Sequence, residues 1–188
     1  SKGKVTRWKN MVGTGVSFVQ TNADSMPSYD KAELSIDFSA NQSLEMTHAK
    51  PSSNTIIIVA RGQGEVFGDS STYVAVKYKK IYFGSGEDVG PVQAMDTAVA
   101  NISDKVIYIL KTDAASNTAS LQVGHNVLRT KTGITNRKAS DSKMYIGKAG
   151  QSIVQGFNGK IYEVLIYDRV LNDSELELIQ DEVSLRWD

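Results

Sequence analysis

Short segments rich in Val, Ile, Tyr and Thr recur along nearly the whole chain. Each is closed off by a cluster of Gly, Ser, Asn or Asp. They occupy residues 33–38, 43–47, 55–60, 72–78, 80–83, 91–95, 105–111, 119–123, 126–129, 142–146 and 160–167. Such residues fit a pleated, half-buried surface, and the clusters between them, such as Gly84-Ser85-Gly86, supply turn chemistry. Many short strands at this spacing fold as an all-β, two-sheet antiparallel sandwich or jelly roll. The length of 188 residues suits a single domain over 1–188 with a full core.

Composition removes several functions. There is no cysteine, so disulfide scaffolds, zinc ribbons and thiol nucleophiles are excluded. Lys+Arg and Asp+Glu balance at 21 each, so no net charge draws the chain to nucleic acid. The longest apolar runs, 56–60 and 106–110, are far too short for membrane insertion as a helix. The start at Ser1-Lys2-Gly3-Lys4 reads as an excised fragment or a processed product.

Those two apolar runs do not alternate, so both faces of each strand are expected to be buried. The second face is open to cover by a loop, a helix or a ligand groove, and the fold's own loops are the expected cover. One helix is signalled near the C-terminus. Asn172 and Glu175 form a capping-box pair, with Leu171 and Leu176 at the staple positions. Leu176, Ile179 and Val183 make its apolar stripe, which Leu178 is expected to widen.

The run Phe157-Asn158-Gly159-Lys160-Ile161-Tyr162-Glu163-Val164-Leu165-Ile166-Tyr167-Asp168-Arg169-Val170-Leu171-Asn172-Asp173-Ser174-Glu175 is the most distinctive stretch. It resembles the closing strand, turn and helix of concanavalin A-like, laminin-G-like jelly-roll domains. Met144-Tyr145-Ile146-Gly147 resembles the strand that precedes it. Val5, Trp8, Gly15, Gln20, Pro27 and Tyr29 resemble the opening of the bacterial or phage branch. The family's turn before the return strand stands here as Gly124-His125-Asn126, and Asn10 replaces an acid in the opening motif.

Glycoside hydrolases on this fold commonly carry paired acids on one strand, in an E-x-D-x-x-E arrangement. No such motif is present. Glu163 is expected to be structural, bonded to backbone or to an arginine such as Arg169 or Arg186. No nucleophile elbow or HExxH motif occurs, and His48 and His125 read as surface turn residues. Calcium is the one metal the resemblance brings in, with Asp69 as its candidate ligand and Glu87, Asp88 and Asp113 as further acidic loop residues.

Glycan sites stack sugars on aromatic rings and fix hydroxyls with amide, guanidinium and carboxylate groups. The candidates are Arg61, Gln63, Tyr73, Tyr82, His125 and Asn126. Tyr78 shares parity with Val74 and Val76 and reads as core. Tyr73 shares parity with Ala75 and Lys77 and reads as exposed. Trp8 and Trp187 read as core anchors. A basic stretch over 129–148 reads either as a surface for a polyanion, such as a sulfated glycan, lipopolysaccharide or teichoic acid, or as a solvated region balanced by the acidic closing helix, and the second is expected.

The resemblance implies a non-catalytic recognition module for a glycan or host-surface polysaccharide, lectin-like or adhesive. Its setting would be extracellular, in a bacterial protein or on a phage virion. The alternative is a structural virion or cell-surface protein that binds other subunits. A glycan-cleaving enzyme ranks third.

Overall fold

The computed structural model describes residues 3–9, 11, 16–47, 52–68, 72–77, 80–85, 103–124, 126–132, 143–148 and 156–187. Among them lie β1 (Gly3–Lys4), β2 (Arg7–Trp8), β3 (Phe18–Val19), β4 (Ser28–Asp30), β5 (Ser35–Phe38), β6 (Leu44–Thr47) and β7 (Asn54–Gly68). They are followed by β8 (Thr72–Lys77), β9 (Lys80–Ser85), β10 (Val106–Asp113), β11 (Thr118–Val123), β12 (Asn126–Lys131), β13 (Lys143–Ile146) and β14 (Asn158–Tyr167). Helix α1 (Asp173–Trp187) closes the chain.

All pairings between these described strands are antiparallel, with one isolated parallel bridge from Glu65 to Gly156, and they build two packed layers. The larger sheet runs β1-β4-β5-β14-β7-β10-β11-β12. The smaller runs β2-β3-β6-β13-β7-β8-β9. Strand β7 belongs to both. Residues 54–63 pair in the larger sheet and 64–68 in the smaller. The transfer falls at Gly62 and Gly64, whose φ angles are +133° and +108°. A Cβ at Gly62 would lie 2.4 Å from the Asn158 carbonyl oxygen, and one at Gly64 2.3 Å from that of Gly156. Both positions therefore need glycine for conformation and for space.

The core fills the gap between the sheets. Phe38, Ile56, Ile58, Tyr108, Leu110 and Ile161 of the larger sheet meet Leu44, Val66, Phe67, Val74, Val76, Met144 and Ile146 of the smaller. The opposite face of the larger sheet lies under α1. Ile57 and Ile109 pack on Leu171 and Leu176, and Val59 packs on Tyr162 and Val183. The second face of 55–60 and 106–110 is thus covered by the helix rather than by loops. A helix presents a continuous apolar stripe that matches these alternate residues.

The capping box is formed. Glu175 N donates to Asn172 Oδ1 at 3.0 Å, and Asn172 N donates to Glu175 Oε2 at 2.9 Å. Buried Thr55 ties the preceding turn to the sheet. Its hydroxyl donates to the Arg169 carbonyl and accepts from Leu171 N, both at 3.0 Å. Trp187 packs against Tyr162 with the rings tilted at 55° and their centroids 5.3 Å apart, and donates to Glu163 at 2.7 Å. Arg186 also holds Glu163, at 3.0 Å. Glu163 is therefore a helix anchor, as expected. Trp8 is half-buried against the core.

Three expectations need correction. Leu178 is 67% exposed, because it lies on the helix face opposite Leu176 and Val183. The strand expected over 33–38 begins at Ser35, since Leu34 has a φ of +53° and ends a turn. The basic stretch does not balance the helix where it is described. Lys143 pairs with Glu45 of the smaller sheet at 2.9 Å, on the far layer from α1. The expected strand 91–95, and Tyr78, lie outside the described residues. The short pairings β1 to β4 had no segment long enough to read as periodic.

Candidate functional site

One ladder row crosses the smaller sheet from edge to edge. It runs Arg7, Val19, Glu45, Tyr145, Gly68, Tyr73, Gly84, each paired with the next. Chain neighbours Leu44, Ile146, Phe67 and Val74 enter the core. Side chains alternate along a strand, so the row belongs to the sheet's outer face. The adjoining row on that face runs Glu65, Ala75, Tyr82. Three tyrosine positions thus fall on three strands, with Gly68 between Tyr145 and Tyr73. Those two positions are two strands apart, roughly 10 Å.

The described side chains give the row its chemistry. Tyr145 is half-buried, and the Lys148 ammonium sits 4.3 Å from its ring centroid. Lys143 donates to Glu45, and this hydrogen bond raises the lysine pKa above its ordinary value. Glu65 and Ala75 of the adjoining row are covered, at 6% and 9% exposed. The half-buried Tyr145 ring with Lys143, Lys148 and the Glu45 carboxylate beside it suits a polar ligand with apolar faces.

A second polar group lies on the outer face of the larger sheet. The Lys160 ammonium stands 2.5 Å from Asp30, 2.9 Å from Asp37 and 3.2 Å from Glu33. Arg61 donates to Glu33 at 2.9 Å, and the Tyr162 hydroxyl donates to the same carboxylate at 2.8 Å. The Lys160 hydrogen bond holds Asp30 down at about 2. The Tyr162 hydroxyl, with Lys160 and Arg61, keeps Glu33 below the usual carboxylate range. Burial, then the bond to Glu33, pushes the Tyr162 hydroxyl up to about 12. These groups satisfy one another and lock β4, β5, β7 and β14 together.

The sequence candidates separate accordingly. Tyr73 and Tyr82 share the smaller sheet on adjacent strands. Arg61 is engaged by Glu33, and Gln63 is exposed beside it at the β7 bend, paired with Asn158. Asn126 opens β12 across from Val123. The structure does not bring these residues together with the tyrosine row. His125, Asp69, Glu87 and Asp88 lie outside the described residues. Asp113 serves its own turn, accepting from Ala115 N and the Ser116 hydroxyl. Among the described residues, no group of three or more His, Asp or Glu is placed to hold a metal ion.

Sequence reasoning passed over Tyr145. Its signal was alternation, since Met144 and Ile146 are core residues and Tyr145 between them faces the other way.

No protein-family model and no curated protein matches the sequence. Solved structures do match. The chain resembles the Ruminococcus gnavus IT-sialidase CBM40 bound to alpha2,3 sialyllactose, with TM-score 0.60 and 14% identity over 78% of this chain and 96% of that one. It resembles the native heptameric SAP-like pentraxin from Limulus polyphemus, with TM-score 0.59 and 10% identity over 83% and 80%. It also resembles Trypanosoma rangeli sialidase in complex with sialic acid, with TM-score 0.72 and 13% identity over 95% of this chain and 31% of the sialidase. At these identities the likeness is one of fold. The chain has a jelly-roll β-sandwich fold, with a single C-terminal helix among the described residues.

Proposed function

We propose that this chain is a single carbohydrate-recognition domain that binds a glycan on the outer face of its smaller sheet and does not cleave it. The observation that carries this is the ladder row with Tyr145, Gly68 and Tyr73, flanked by Glu45, Lys143 and Lys148. A sugar ring stacks its C–H face on an aromatic ring, and charged groups beside it take its hydroxyls. The similarity to a carbohydrate-binding module bound to sialyllactose supports the reading.

Retaining and inverting hydrolysis both need a carboxylic acid that stays protonated near neutral pH. Asp30 and Glu33 have pKa values below the ordinary one and are fully ionised there. The acids gathered on the larger sheet therefore act as a brace for Lys160, not as a catalytic pair. Calcium at Asp69 stays a separate expectation, and the setting we favour is extracellular or on a virion surface.

The test is a glycan panel that includes sialylated and neutral oligosaccharides, run with and without calcium. Binding is expected, and Tyr145→Ala is expected to weaken it about tenfold or more, roughly 1.4 kcal/mol. No binding to any glycan would sink the recognition reading, and hydrolysis of the panel would overturn the non-catalytic one.

A further inference from the structure

The outer face of α1 carries two exposed leucines among acidic residues. Leu178 is 67% exposed and Leu185 is 87% exposed. They are separated by two helical turns, about 10 Å along the axis. Both lie opposite the buried stripe of Leu176, Gln180 and Val183. Exposed leucines occur singly on most proteins, but two in line on one helix form a seam.

The residues around this seam are acidic. Asp181 and Glu182 lie between the two leucines, and Glu177 lies alongside. Among the described residues, Glu177 and Asp181 have no ion-pair partner. Glu182 has only Arg186 at 3.8 Å, and that arginine is already held by Glu163 at 3.0 Å. The face therefore offers two apolar knobs and uncompensated carboxylates.

Charge decides what fits. A second copy packing antiparallel about the midpoint of Leu178 and Leu185 would set Asp181 against Glu182 of the other copy, and Glu182 against its Asp181. Like charges in that arrangement oppose association. A basic amphipathic helix satisfies both features, with leucines on the seam and lysines or arginines between them. We infer that the outer face of α1 docks a basic amphipathic helix of a partner protein, on the layer opposite the tyrosine row. This inference stands independently of the glycan reading.

The test uses the full chain and a labelled synthetic helical peptide with two leucines one heptad apart and lysines between them. Fluorescence anisotropy is expected to show it binding at least about tenfold tighter than the same peptide with glutamates in place of the lysines. Raising salt from about 50 mM to about 0.5 M is expected to weaken it. The double variant Leu178→Gln and Leu185→Gln is expected to lose about tenfold or more, with an unchanged melting temperature, since Gln is a good helix former. Asp181→Lys with Glu182→Lys is expected to lose as much. Equal binding of the basic and acidic peptides, or binding of neither, would overturn the inference. So would a dimer of the chain alone, seen in sedimentation velocity, that the leucine variant abolishes.

Discussion

Gly64 shows how much of this fold rests on one absent methyl group. Its φ of +108° disfavours any side chain, and the Gly156 carbonyl oxygen occupies the space at 2.3 Å. Gly64→Ala is therefore expected to destabilise the chain by about 2–4 kcal/mol, from positive φ and backbone displacement together. Chemical denaturation measures it, and a loss below about 0.5 kcal/mol would contradict the account. Asp30 and Glu175 act through charge. Hydrogen bonds from Lys160 and Arg169, respectively, bring each to about 2 in the folded chain. Their ordinary values are 3.8 and 4.5. A depressed folded pKa stabilises above the unfolded value and is lost as pH falls through the folded one. Melting temperature should hold above about pH 5 and fall between about pH 4 and pH 2. Asp30→Asn combined with Glu175→Gln should flatten that fall. A steeper fall in the double variant would refute these assignments.

At the scale of elements, α1 was legible in its cap and misread in its width. Asn172 and Glu175 announce the start because capping is local chemistry, and the two hydrogen bonds are made. Asn172→Ala should cost about 1 kcal/mol, read from the denaturation midpoint. No change would mean that tertiary packing alone fixes the helix start. Leu178 looked like part of the buried stripe because leucine is apolar, yet it sits across the helix from Val183 and stays exposed. Strand β7 was legible only over its first part. Its apolar run marked 55–60, and the strand was expected to end there, before Arg61 and the glycines at 62 and 64. The structure carries the strand through that glycine pair into the second sheet. A local pattern cannot distinguish a strand end from a strand that changes layers.

The whole molecule is two sheets with different outer faces. The larger sheet spends its outer face on α1 and on the Lys160 brace, while the smaller carries the tyrosine row. Most strands were legible because each is a local run of β-branched and aromatic residues. The row was not, because it joins residues from 7 to 145 through register, which no single segment encodes. Arg61 and Tyr73 were both sequence candidates, Tyr73 singled out by its parity. The fold places one in an ion pair with Glu33 and the other beside Gly68. The most direct test is amide chemical-shift mapping of the isotopically labelled chain against the tightest glycan of the panel. Perturbations are expected to concentrate at Glu45, Tyr145, Gly68, Tyr73 and Gly84. Perturbations confined to Arg61, Gln63 and Asn158, with the tyrosine row unmoved, would contradict the placement of the site.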